Sequence, residues 1–315
     1  MAETVTWAQM TSLVPQIDLV SAMEAAFVAY SEGNAVIPPV GELQFSDPPG
    51  DVHLKYGYLR GGRHYVVKIA SGFYDNPKLG LPSSNGLMLL FDQETGSPKA
   101  VLLDEGRLTD LRTAAAGAVA AKHLGPTEVA AVGIVGAGIQ ARLQLQALEA
   151  VTPCRSAWVW ARRPEAAKEY VADLSPRGWE VRVASSTTQL LQNSNLVVTT
   201  TPSTEALVCG KDVRPGTHIT AVGSDTESKR ELDTELVGSA DCVVGDSLAQ
   251  CRTRGEIARA VAEGFDPERV QELGAVISGR AAGRESEEQI TVVDLTGVAV
   301  QDLAIAEAIY DQLQG

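Results

Sequence analysis

The chain has 315 residues, 44% of them apolar and 5% aromatic, with 26 Lys and Arg against 40 acids and a formal net charge of −14. That length and apolar content support a large buried core divided over two domains. The acidic balance without a basic run argues against a nucleic-acid partner, because an extended phosphate backbone would be repelled. The start of the chain lacks a basic stretch followed by an apolar one, and no segment approaches about 18 consecutive apolar residues, which predicts a cytoplasmic protein without a membrane partner.

Residues 15–32 place Ile17, Val20, Met23, Phe27 and Tyr30 at helical spacing, with Gly33 to end the helix. The period then changes. Residues 52–59, 65–70, 87–91 and 100–103 are extended runs separated by Pro, Gly and Asn clusters, which predicts an antiparallel sheet. Residues 109–124 read as an alanine-rich helix stopped by Gly125-Pro126. Further strands over 156–160, 181–184, 196–200, 218–222, 242–244 and 290–295 alternate with helical or turn segments, as a doubly wound parallel sheet requires. A terminal helix over 297–313 carries Val298, Leu303, Ile305 and Ile309. The fold class is α/β: a Rossmann-type doubly wound parallel sheet, residues 119–296, inserted into a second α+β domain made of residues 1–118 and 297–315.

The most informative stretch lies between these helices, where the apolar run Val132, Ile134, Val135 leads straight into Gly136-Ala137-Gly138-Ile139-Gln140-Ala141. Gly136 permits a tight turn, Gly138 lets backbone amides approach a pyrophosphate, and the small Ala141 lets the helix pack on the strand. The helix start at Ile139 and Gln140 then faces the phosphates. An NAD-binding turn usually has an acid for the ribose about 20 residues on, but this chain reads Ala161-Arg162-Arg163-Pro164 there. A guanidinium pairs with a 2′-phosphate in fork geometry, which predicts NADP ahead of NAD; otherwise the two arginines are a solvated turn before a helix starting at Pro164. Thr200-Thr201-Pro202 and Val222-Gly223-Ser224, at the carboxyl ends of later strands, are expected to line the same cofactor.

Four polar positions have no evident use in a core. Alternation puts Val66, Lys68 and Ala70 on one strand face, so Lys68 either meets an anionic substrate or donates a proton there, or is an edge lysine that discourages strand pairing. Lys55 follows the same reasoning, with a solvated lysine as the alternative. Arg112, among small residues near a helix start, either grips a carboxylate with two hydrogen bonds or makes a surface salt bridge to Asp110 or Glu105. Asp225, just past a strand's carboxyl end with Lys229 four residues on, either moves a proton beside a nicotinamide or caps the segment reaching Glu235. The widely spaced Cys154, Cys209, Cys242 and Cys251 and the four histidines lack metal-ligand spacing, so neither zinc nor disulfides are indicated, and Cys209 and Cys242 read as buried thiols.

Together VVKIASGF, NPKLGLPSSNGLMLLFD, LLDEGRLTDLRTAAAGAVAAKHL, GAGIQARLQL, GSDTESKRELD and DLTGVAVQD closely resemble the ornithine cyclodeaminase/μ-crystallin family over nearly the whole chain. The resemblance implies a homodimer joined through its N-terminal sheets. It also implies one of several activities: ornithine cyclodeamination, reduction of imino acids, or alanine dehydrogenation. By position, Lys68 and Arg112 look like ligands of the substrate carboxylate, Asp225 looks like the acid/base group, and Lys229 matches the lysine of the same loop. Gly136, Gly138 and Gln140 fall on the pyrophosphate turn, Arg162 corresponds to the adenosine-phosphate selector, and Arg112 also lies toward the cofactor. One departure is that Ile37-Pro38-Pro39-Val40-Gly41-Glu42 lacks the arginine which the cyclodeaminase pattern places after a proline. Either Lys55 replaces it or the substrate presents its charge differently. The preferred expectation is NAD(P)H-dependent reduction of small 2-imino acids, such as 1-pyrroline-2-carboxylate, to L-amino acids. A redox-neutral ornithine cyclodeaminase with bound NAD, and a crystallin-like protein that binds NADPH and a small ligand, are the alternatives.

Overall fold

The extended runs of the N-terminal third pair into one sheet of seven strands: β1 (Glu3–Thr6), β2 (Ala35–Val36), β3 (Gly41–Ser46), β4 (Pro49–Leu59), β5 (His64–Phe73), β6 (Ser84–Asp92) and β7 (Pro98–Leu103). The computed structural model describes residues 2–73 and 75–314. The strand order is β1-β7-β6-β5-β4-β2, with β3 paired to β4. The sheet is mixed rather than antiparallel throughout, because β1 runs parallel to β7. Four residues are too few to show a period, which hid β1 from sequence reading.

The helix expected over 15–32 is split. A short 3₁₀ turn, Val14–Gln16, contains Pro15, and the α-helix Leu19–Ser31 starts afresh where the Asp18 carboxylate accepts the Ser21 amide. An aspartate cap defines the start more sharply than the apolar spacing does, so Ile17 falls outside the helix. The C-terminal helix Ala299–Gln314 lies on β4, β5 and β6 and against Leu19–Ser31. It buries Leu303, Ile305 and Ile309, each worth about 1.5–3 kcal/mol. The other face of the sheet carries Leu54, Tyr56, Val67, Ile69, Leu87 and Leu89 in register, all half-buried or exposed, with the exposed Leu43 and Phe45 beside them on β3.

These elements make one compact unit, Met1–Arg112 with Val298–Gly315; a second is Thr113–Gly297. The helix Arg107–Leu124 runs through the division and starts where the Asp104 carboxylate accepts the Leu108 amide. In the second unit, β8 (Val132–Val135), β9 (Ser156–Trp160), β10 (Glu180–Val183), β11 (Leu196–Thr199), β12 (His218–Ala221), β13 (Cys242–Gly245), β14 (Val270–Glu272) and β15 (Thr291–Asp294) form one all-parallel sheet. Its order is β10-β9-β8-β11-β12-β15-β13-β14. Five of these strands are buried at every position, as expected for a sheet covered on both faces. The order reverses between β8 and β11, the switch point where such sheets bind ligands at their carboxyl edge. His218, fully buried between the hydroxyls of Thr291 and Thr220, ties β12 to β15; burial pushes its pKa down to about 3, so it is a neutral core residue. Among the described residues no single helix is long and apolar enough to cross a membrane.

Candidate active site

The glycine turn sits at the β8 carboxyl end. Gly136 has φ +118, and a Cβ there would meet the Thr200 hydroxyl at 2.6 Å, so both conformation and space require glycine. Gly138 has nothing within 4 Å of where a Cβ would lie, which leaves room for a ligand against its backbone. The turn opens into a cavity of about 350 Å³ lined by Gly136, Gly138, Ala161, Arg162, Arg163, Thr200, Thr201 and Pro202. Ala137 of the same turn joins them, and Trp160, Ala166, Ser203 and Leu207, not named as site residues from sequence, complete its wall. Arg112, Ile139, Gln140, Val222, Gly223 and Ser224 are not among the lining residues. Two arginines and no carboxylate appear among the described residues that line it, a donor set suited to a phosphorylated ribose. Arg142, which sequence reasoning missed, donates to the carbonyls of Ala137 and Gly138 and holds Asp173 at 2.6 Å, fixing the turn to the helix Pro164–Leu174.

The first unit gathers three buried cations at one place. Lys55 and Lys68 face each other across β4 and β5, and Lys55, Lys68 and Arg112 are only 8, 2 and 4% exposed. Like charges directly opposite across a strand pair repel, so the pair needs a counter-charge. Asp302, fully buried on the C-terminal helix, supplies it: Lys68 Nζ lies 3.3 Å from one carboxylate oxygen, and Arg112 Nε donates to the other at 2.9 Å. Arg112 also donates to the Gln301 side chain at 3.3 Å. Burial alone would raise the Asp302 carboxyl, but Lys68, Arg112 and Lys55 outweigh it and hold the group below the usual carboxylate range. Neither surface alternative applies, since Lys68 lies on a strand paired on both sides and Arg112 is buried against Asp302 and Gln301. Lys55 is buried rather than solvated. Lys55, Lys68 and Arg112 thus bring two ammonium groups and a guanidinium to one buried place beside the ionised Asp302, donor types that bind a carboxylate through charge-assisted hydrogen bonds.

Asp225 and Lys229 lie in the loop after β12 and form an ion pair at 2.6 Å. The expected alternative, Asp225 as helix cap, is excluded: Asp233 caps the helix Thr234–Ser239 by accepting the Leu236 amide. Cys242 is buried but Cys209 is only partly so, and burial raises both thiols, Cys242 to about 11.

The model of the ornithine cyclodeaminase/mu-crystallin family matches residues 3–315. The chain belongs to this family. It is 43% identical to an uncharacterised cyclodeaminase of Sinorhizobium fredii, over 97% of this chain and 94% of that one. Among solved structures it is similar to an archaeal alanine dehydrogenase dimer with bound NAD, at 36% identity and a TM-score of 0.91, covering 99% of this chain and 96% of that one. It is also similar to the Δ1-pyrroline-2-carboxylate reductase of Thermococcus litoralis in complex with NADH and L-proline, at 30% identity and a TM-score of 0.93, covering 99% and 97%. Membership of the ornithine cyclodeaminase/mu-crystallin family accounts for the inserted Rossmann-type unit, while Asp302 was not anticipated. Its signal was present: Val298, Asp302, Ile305 and Ile309 fall at helical spacing, which puts a carboxylate on an apolar stripe.

Proposed function

We propose that the protein is an NADPH-preferring reductase of small 2-imino acids, yielding L-amino acids. The buried Lys68–Asp302–Arg112 cluster carries this reading, because a buried ammonium and guanidinium side by side are the donors that hold a carboxylate-bearing substrate in charge-assisted hydrogen bonds. Bound NAD(P)H supplies the hydride. Lys68 and Arg112, with Lys55 in place of the missing arginine, hold the carboxylate and so fix the orientation of the imine carbon. A proton taken up from solvent passes through the Asp225 carboxylate to the imine nitrogen as hydride reaches the imine carbon, which balances to amino acid and NADP+, and the ion pair with Lys229 keeps that carboxylate in one position. The likeness to the pyrroline-carboxylate reductase and alanine dehydrogenase structures supports this chemistry, since reductase and dehydrogenase run it in opposite directions. A redox-neutral cyclodeaminase retains its NAD, and the cavity edge at Arg162 and Arg163 favours a phosphorylated carrier instead.

The cofactor choice is tested by Arg162→Asp. A hydrogen bond to a charged group is worth about 1.5–3 kcal/mol, so kcat/KM for NADPH is expected to fall roughly 10- to 150-fold while that for NADH changes little. An unchanged NADPH-to-NADH ratio would contradict the assignment. The apolar outer face of the N-terminal sheet supports a homodimer, for which light scattering should read twice 33.3 kDa. A monomer at micromolar concentration would exclude it.

A further inference from the structure

Glu231, fully buried and outside the residues assigned above, is bound from every side. Its carboxylate accepts the Thr199 hydroxyl at 2.7 Å, the Gly223 amide at 2.8 Å and the Thr201 amide. Its own amide donates to Glu256 at 2.6 Å, and its carbonyl accepts the amides of Leu207 and Val208. The two side-chain-bound amides belong to different loops: Thr201 follows β11 and lines the dinucleotide cavity, and Gly223 follows β12, two residues before Asp225. A Cβ on Gly223 would lie 2.5 Å from the Thr201 nitrogen and 2.7 Å from the Glu231 carboxylate, so the loops approach as closely as the backbone permits.

We propose that Glu231 is a positioning residue whose carboxylate sets the spacing of these two loops and thereby places Asp225 for proton delivery. This rests on the reductase reading for the role of Asp225, but not for the cross-tie itself. A carboxylate suits the task because it only accepts, whereas a glutamine at 231 must point an N–H₂ group at one of the donors. Burial pushes the Glu231 carboxyl up to about 7 despite the three donors, with a smaller contribution from repulsion by Glu256 on the helix Gly255–Ala262. Ser224 and Arg230 lie against Glu256 in turn.

The test compares wild type with Glu231→Gln in NADPH-dependent reduction of 1-pyrroline-2-carboxylate and in amide hydrogen exchange of the protein alone. Four results are expected for the variant: kcat at least tenfold lower, an NADPH Kd within threefold, a larger isotope effect with 4,4-dideuterated NADPH, and exchange at Thr201 and Gly223 at least tenfold faster. If Glu231→Gln does not fold, Gly223→Ala is expected to show the same split by forcing the same loops apart. Unchanged kcat with both amides still protected overturns the proposal. A wild type that reduces no imino acid overturns the reductase reading instead, and the exchange result then decides the cross-tie alone.

Discussion

Replacing Lys68 with methionine lowers kcat/KM for the imino acid by roughly 30- to 5,000-fold, because truncating one partner of a buried charge pair costs about 2–5 kcal/mol. Methionine retains most of the volume, so the loss reports the missing ammonium and not a cavity. Asp302 still has Arg112 at 2.9 Å and remains compensated, so the variant is expected to fold. NADPH affinity, followed by fluorescence, is expected to stay within twofold, since the dinucleotide cavity is lined wholly by the second unit. A parallel loss of cofactor binding, or full turnover, would remove Lys68 from substrate recognition.

Removing the counter-charge has the opposite signature. Asp302→Ala leaves Lys55, Lys68 and Arg112 mutually repelling in a buried place, and breaking such an ion pair from one side costs about 3–5 kcal/mol. For a unit of this size that corresponds to a fall in Tm of roughly 6–20 °C by calorimetry. The pH dependence has a definite sign. The folded pKa of Asp302 is depressed, so its contribution is present above the unfolded value of about 3.9 and is lost as pH falls through the lower folded value. The wild-type advantage should therefore hold from pH 5 to 8 and narrow only in stronger acid. A difference below about 1 kcal/mol at neutral pH would mean that the cations do not depend on Asp302.

Much of the fold is legible because period and punctuation agree. Strand alternation around Val66-Lys68, the run into Gly136-Ala137-Gly138, and a helix beginning at Pro164 each depend on neighbours within a few residues. The residues that sequence reasoning missed depend on partners far along the chain. Lys68 could be singled out as an odd residue on an apolar face, but its partner Asp302 comes from the last helix. Glu231 looks like an ordinary acid before the capping Asp233, and only the convergence of β11 and β12 shows that it holds Thr201 and Gly223. Arg142 resembles a surface residue of an amphipathic helix until the turn places the carbonyls of Ala137 and Gly138 over it. Local spacing therefore reveals which side chains are out of place, and topology decides what each one serves.

In the proposed function, hydride moves from the nicotinamide to the imine carbon of a substrate whose carboxylate is held on Lys68 and Arg112. Mass spectrometry of the product formed from 1-pyrroline-2-carboxylate and 4,4-dideuterated NADPH measures that transfer directly. One deuterium at Cα for each NADPH consumed is the predicted result. Product without deuterium, or ammonia released from ornithine with no net change in NADPH, would contradict it.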